Sequence, residues 1–214
     1  LARRPRMLLL DEPLAALDKK LRESTQAELL EVQRRLGMTF IIVTHDQEEA
    51  MTVADRIGVM DKGKLVQVAP PRQLYEAPNS RWIAGFVGDI NLIEGQVAAR
   101  QAGHFTIATD SAGTIVASHA PASDTSNVCA AIRPEKVRLS QAAAPAPHAI
   151  NTLAGEITSA GFLGSASVYS VKLDQGAVLR VALANATRVA ADEFSVGQRV
   201  GVSFAPEDVV VLDR

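Results

Sequence analysis

Apolar and polar positions change rhythm part-way along this chain. Residues 7–10 are a continuous apolar run, Met-Leu-Leu-Leu, that ends at Asp11-Glu12-Pro13. Such a run predicts a strand buried on both faces, here with two carboxylates at its C-terminal end. Leu21, Leu29, Val32 and Leu36 then recur at helical spacing, with Asp18 placed as N-cap and Gly37 as the stop. Residues 39–43, β-branched and aromatic, predict the next buried strand. Asp46 with Glu49 three residues on forms a capping box that opens a helix through about Ala54. Residues 57–60 and 65–68 flank Asp61-Lys62-Gly63 and predict a hairpin, and short helices are expected near residues 72–75 and 80–87. The order strand, helix, strand, helix predicts an α/β layer with a parallel sheet.

Past about residue 88 the pattern becomes short strands broken by Gly, Pro, Asn and Asp. A weak internal repeat runs through this half. Ile90-Asn-Leu-Ile-Glu-Gly-Gln-Val97 is similar to Ile150-Asn-Thr-Leu-Ala-Gly-Glu-Ile157, and Ile132-Arg-Pro-Glu-Lys-Val137 to Phe204-Ala-Pro-Glu-Asp-Val209. Two such units, joined by the Ala/Pro-rich residues 141–149, predict two halves that together close a small barrel and so remove the edges each would expose alone. Two separate modules are the alternative, each small for independent stability. The expected division is therefore 1–88 and 89–214.

Composition narrows the classes. A 47% share of hydrophobic residues supports packed cores rather than disorder. Aromatics at 4%, with Trp82 the one tryptophan, argue against a base-stacking platform, and a net charge of −2 gives no field that would gather nucleic acid. Nucleic acid is not an expected partner. With Cys129 alone no disulfide framework can form within the chain, which suits a reducing compartment; Cys129 reads as a small buried hydrophobe. The apolar runs are far too short to span a bilayer, and no leader sequence is visible, though the chain opens on Leu1 and not Met.

The chemistry concentrates at two strand ends. Burying adjacent carboxylates costs several kcal/mol or shifts their pKa unless a site uses them, and the C-terminal edge of a parallel sheet is where such sites form. One acid there could hold Mg²⁺ and the next polarise an attacking water. His45 closes the neighbouring strand just before a capped helix, within reach of the same edge, where its ring could bond a phosphate oxygen. For an isolated Asp-Glu-Pro the plain reading is a solvated turn, and for an isolated histidine a structural hydrogen bond; the combination favours the site.

These residues resemble the second half of an ABC ATPase of the importer type. Residues 7–12 are similar to the Walker B strand, 14–18 to the D-loop and His45 to the switch histidine. The lead-in Leu1-Ala-Arg-Arg-Pro-Arg6 resembles the tail of the helix after the ABC signature. The likeness continues through Asp46-Gln-Glu-Glu-Ala50, Ala54-Asp55-Arg56, Gln73-Leu-Tyr-Glu-Ala-Pro78 and Phe86-Val-Gly88. The Pro-Glu motifs at Pro134 and Pro206 resemble the transport-associated OB-like (TOBE) domains of importers of maltose, polyamines, iron and sulfate. The implied fold is a partial P-loop NTPase sheet, α/β, followed by an all-β OB-like barrel. The implied cofactors are ATP and Mg²⁺, with Asp11 helping to hold the metal, Glu12 as the catalytic carboxylate, His45 on the γ-phosphate, and Asp18 coupling two nucleotide sites across a dimer. The implied partners are transmembrane permease subunits, a second ATPase subunit and, indirectly, an extracytoplasmic solute-binding protein, at the cytoplasmic face of the membrane. Ala15-Ala16 departs from the usual serine-containing D-loop.

A complete site also needs a glycine-rich phosphate loop. The one near match, Gly58-Val-Met-Asp-Lys-Gly-Lys-Leu65, ends in a leucine that cannot ligate Mg²⁺ and reads strand–turn–strand. Neither a phosphate loop nor the family's Leu-Ser-Gly-Gly-Gln signature is found, so this chain alone is expected to be inactive. Gly161-Phe-Leu-Gly164 reads as a barrel turn, and His104, His119 and His148 as surface residues without ligand spacing. Two functions compete. One is an ATP-hydrolysing part of an importer, with polyamine favoured by the stretches 67–73 and 86–95. The other is a regulatory or dimerisation module that binds a small ligand or a regulatory protein through the barrel.

Overall fold

The computed structural model describes residues 6–101, 103–119, 125–141, 151–186 and 194–213. The joining stretch 142–149, His148 and the lead-in up to Pro5 lie outside the described residues. The chain divides into two compact units, 1–77 and 78–214.

In the first unit, β1 (Met7–Asp11) lies parallel to β2 (Thr39–Val43), paired from Met7↔Thr39 to Asp11↔Val43. Parallel neighbours need a crossover, and α1 (Lys19–Leu36) supplies it. Its N-cap is Asp18, whose Oδ1 accepts the Leu21 N–H at 3.0 Å. Its stop is Gly37, left-handed at φ 61°, whose N–H donates to the Gln33 carbonyl. After β2 come α2 (Gln47–Val53), the antiparallel pair β3 (Ile57–Asp61) and β4 (Lys64–Ala69), and α3 (Pro71–Glu76). Lys62 and Gly63 between β3 and β4 are both left-handed, as a tight two-residue hairpin turn requires. The near match to a phosphate loop is thus a hairpin. On one face of the β1–β2 pair, Met7, Leu9, Ile41 and Val43 are 43–66% exposed.

The second unit opens with α4 (Arg81–Phe86), followed by β5 (Asn91–Gln101), β6 (His104–Thr109), β7 (Gly113–Ala117), β8 (Asn127–Ile132), a 3-10 turn at Pro134–Lys136 and β9 (Arg138–Ser140). The same order repeats as β10 (Asn151–Phe162), β11 (Ala166–Leu173), β12 (Val178–Ala184), β13 (Arg199–Phe204), a 3-10 turn at Pro206–Asp208 and β14 (Val209–Asp213). The division of the chain precedes the change of composition near residue 88 because α4 packs here. Ala84 sits on Cys129, Ala131 and Leu212, and Arg133 Nη1 donates to the carbonyls of Ala84, Gly88 and Asp89 at 3.0–3.1 Å.

The repeat builds two five-stranded antiparallel sheets, ordered β14-β8-β5-β6-β7 and β12-β11-β10-β13-β9. Each half gives its last strand away. β9 follows β8 but pairs with β13, and β14 follows β13 but pairs with β8, each crossing at the Pro-Glu turn. The halves are interlocked, so the reading as separate modules does not hold for the described strands. One core, with Ile107, Ile115, Ile132, Ile157, Val171, Leu179 and Phe204, fills the space between them.

Asn91 and Asn151, equivalent in the repeat and both buried, fasten the remaining edges. The Asn91 amide donates to the Arg180 carbonyl at 2.8 Å and accepts the Arg180 N–H at 2.7 Å, on edge strand β12. Asn151 makes the same two bonds to Val116 on edge strand β7, at 2.8 and 2.7 Å. Each side chain satisfies backbone groups that a sheet edge leaves open, and the whole is barrel-like. Gly95 and Gly155 match as well: a Cβ on either would lie 2.6 Å from a carbonyl of the next strand.

Candidate functional site

The sequence-predicted residues gather where β1 and β2 end. The Glu12 N–H donates to the Val43 carbonyl at 2.8 Å, extending the ladder one residue past β1. Glu12 itself is left-handed at φ 44°, an uncommon conformation for a side chain of its size. It swings the chain into the turn that leads to Asp18, pinned by buried Leu14 and by the Ala15 N–H on the Glu12 carbonyl at 3.3 Å.

The structure brings Glu12 and His45 together. His45 Nδ1 lies 3.1 Å from Glu12 Oε1, and the two side chains are 76% and 51% exposed. A carboxylate and an imidazole in contact and open to solvent can accept and pass a proton, or turn a ring N–H towards an anion. Asp11 precedes Glu12 at the end of β1 and is exposed. Asp18 is also exposed and spends its carboxylate on capping α1; it does not join the Glu12–His45 contact.

The turn that carries His45 is built by its neighbours. Asp46 Oδ1 accepts the Glu49 N–H at 3.1 Å, one half of the expected capping box. The other half is relayed. Thr44 Oγ1 accepts the Asp46 N–H at 3.0 Å and donates its own proton to Glu49 Oε2 at 2.6 Å. Glu49 is 2% exposed, so its carboxylate works inside the unit and not at the surface. Sequence reasoning passed over Thr44, and it passed over Arg22, which reaches this turn from α1. Arg22 lies 24 residues from its partner Asp46, beyond any local pattern.

The lesser features fall as their sequence predicts. Gly161 and Phe162 end β10 and Gly164 lies in the turn to β11, with Phe162 77% exposed, and His104 and His119 are exposed. Cys129 is fully buried on β8, and burial pushes its thiol above the usual range. No helix among the described residues is long and apolar enough to cross a membrane.

Comparison with known proteins matches a family to part of the second unit and relatives to nearly the whole chain. Residues 130–212 match the TOBE domain family. The chain is 40% identical over 216 residues to the putrescine transport ATP-binding protein PotG of Escherichia coli K12, covering 99% of this chain and 56% of that protein. It is 41% identical over 184 residues to the spermidine/putrescine import ATP-binding protein PotA of Trichormus variabilis, covering 85% of this chain and 48% of the relative. Among solved structures, the cytoplasmic molybdate-binding protein ModG superposes with a TM-score of 0.46 at 15% identity, over 56% of this chain and 94% of that one. The all-β unit thus contains a TOBE domain, at residues 130–212. Nearly all of the chain is thus similar to one part of ATP-binding proteins named for spermidine and putrescine transport, and it spans about half the length of the curated relatives it matches.

Proposed function

We propose that this chain supplies the catalytic acid and histidine of an ATP-hydrolysing site in a full-length ABC importer subunit, and that the imported solute is a polyamine such as putrescine or spermidine. The contact between Glu12 and His45 at two parallel strand ends carries the first part. The names of the relatives support the second. Residues 6–77 are, in this reading, a portion of a P-loop NTPase sheet. The apolar face of β1–β2 fits that, since parallel sheets are covered on both faces in whole domains.

Hydrolysis of a phosphoanhydride asks for a positioned water and for charge stabilisation on the transferred phosphoryl group. Glu12 orients and polarises the water, held over the sheet edge by its left-handed turn. His45 keeps the Glu12 carboxylate in place through Nδ1 and turns its remaining ring nitrogen to the γ-phosphate. The donors present fit Mg²⁺, which takes one or two protein carboxylates and fills the rest of its shell with water and phosphate oxygens. Asp11, exposed at the end of β1 beside Glu12, offers one such carboxylate. The ion would neutralise charge building on the phosphate oxygens. Asp18, at the end of the loop that starts at Glu12, would couple two nucleotide sites across a dimer. Permease subunits, a second copy of the full-length protein and a solute-binding protein complete the importer, with this subunit on the cytoplasmic face. The chain alone does not turn over ATP, because the segment closest to a phosphate loop is the β3–β4 hairpin.

Glu12→Gln in the full-length protein tests this. Loss of the carboxylate should lower ATP turnover by about 10²–10⁴-fold while ATP binding is retained. Turnover at the parent rate in E12Q would remove the reading.

A further inference from the structure

One guanidinium joins the two loops that carry the proposed catalytic pair. Arg22 sits in the first turn of α1. Its Nη1 donates to Asp46 Oδ2 at 2.7 Å, and its Nη2 donates to the Leu17 carbonyl at 3.1 Å. Leu17 belongs to the loop that starts at Glu12, and Asp46 follows His45 directly. The same Asp46 uses its other oxygen to cap α2, and its N–H is tied through Thr44 to buried Glu49. Arg22 therefore holds a turn that is itself rigidly braced, and it holds the acid's loop with the same planar group.

Glu12 and His45 need such bracing. Both side chains are largely open to solvent, and their one described polar contact is with each other, so packing does not set their separation. The backbone loops set it. The Glu12 N–H to Val43 carbonyl bond fastens those loops at the sheet, and Arg22 fastens them again further out. Two acceptors of different kind, a carboxylate and a carbonyl, are met by one rigid fork, a geometry that a lysine ammonium cannot reproduce.

We propose that Arg22 is a positioning residue for the Glu12–His45 pair: by bridging the Leu17 carbonyl and Asp46 it fixes the distance between the acid's loop and the histidine's turn, and so acts on the hydrolytic step without touching ATP. The proposal rests on the ATPase reading of the same site. Misplacing a reacting group by about an ångström costs on the order of 100-fold in rate, which sets the scale.

The test uses the full-length protein and three variants. R22K keeps the charge and can keep one of the two bonds. D46N keeps an oxygen for the Glu49 N–H but weakens the tie to Arg22. E12Q reports on the site itself. The expected result is a fall in kcat of about 10- to 100-fold in R22K, with the KM for ATP within about 2-fold of the parent. D46N should lose a comparable factor, and R22K/D46N should be hardly worse than either alone, because both break one tie. A merely structural role would show parent kcat in R22K, or a fall no larger than the loss of folded protein seen in its melting curve; either overturns the proposal. Loss of ATP binding in R22K also overturns it. If R22K fails to fold, D46N alone decides, by the same split between kcat and KM. Should E12Q hydrolyse ATP at the parent rate, the ATPase reading itself falls; should E12Q be inactive while R22K and D46N turn over normally, only the role of Arg22 falls.

Discussion

In the unit of residues 78–214, β8 and β13 are buried on both faces from their second residue on, each is flanked by a strand received from the other half, and two asparagines fasten the edges. In the unit of residues 6–77, the strands that carry the chemistry have one neighbour each, and Leu9 at their centre is 66% exposed. The residues explain the contrast. The first uses alternation, small residues such as Ala131, Gly201 and Ser203 on β8 and β13, and paired repeats to close on itself. The second uses an unbroken apolar run that calls for cover on both faces, and it carries its polar residues at the strand ends where Glu12 and His45 meet. Closure and chemistry are separated along the chain.

The largest expected effect tests that contrast directly. Phe204 is 2% exposed in the shared core, so Phe204→Ala should cost about 3–5 kcal/mol. Leu9→Ala should cost within about 0.5 kcal/mol, as surface changes do. Denaturant unfolding of this chain measures both, with Trp82 fluorescence reporting the second unit and helical circular dichroism the long α1 of the first. Equal costs would mean that the β1–β2 face is covered in solution, and the contrast would dissolve.

A smaller effect sharpens the symmetry inside the closed unit. Asn91→Ala and Asn151→Ala each leave a backbone N–H and a carbonyl of an edge strand without their partner, at about 1–3 kcal/mol. The Asn91 seam also carries an ion pair, Arg180 Nη1 to Asp89 Oδ1 at 2.8 Å, whereas on the Asn151 seam the place of Arg180 is taken by the uncharged Val116. Both of its side chains are at least half exposed, so it adds little, and the two variants should cost about the same. A much costlier Asn91→Ala would show the seams to be unequal.

Much of this was legible in the residues. The strand, helix and hairpin order of residues 6–77 follows from periodicity and caps, because these elements are set by near neighbours: Asp18 with Leu21, Gly37 with Gln33, Lys62 with Gly63. The repeated Ile-Asn and Pro-Glu motifs announce two equivalent halves. What the motifs do there was not legible. That Asn91 reaches Arg180, and that the Pro-Glu turns pass a strand across to the other sheet, depend on pairings between distant segments. The same limit hid Arg22, whose partners lie on two different loops. It also hid the relay through Thr44, where a familiar capping box gains a third member. In the candidate site, Glu12 and His45 were legible as neighbours because parallel strands end together, whereas Asp18 stands apart as a helix cap.

The smallest effect concerns charge on the outside of the closed unit. Asp174, in the turn after β11, takes two hydrogen bonds from the Arg199 guanidinium at the start of β13, one of them at 2.8 Å. Those bonds hold its carboxyl below the usual carboxylate range. A depressed folded value means the pair stabilises the fold fully above the ordinary carboxylate pKa and loses that contribution as pH falls through the lower, folded value. Asp174→Asn should therefore melt slightly below the parent at neutral pH and low salt, and the gap should close on acidification. It should also close towards 1 M salt, where screening acts over about 3 Å and the exposed pair is no longer felt. A gap that survives high salt would mean that Asp174 holds the β11–β12 turn through its geometry and not its charge. The closed unit would then depend on its surface as well as on its core and its asparagine clasps.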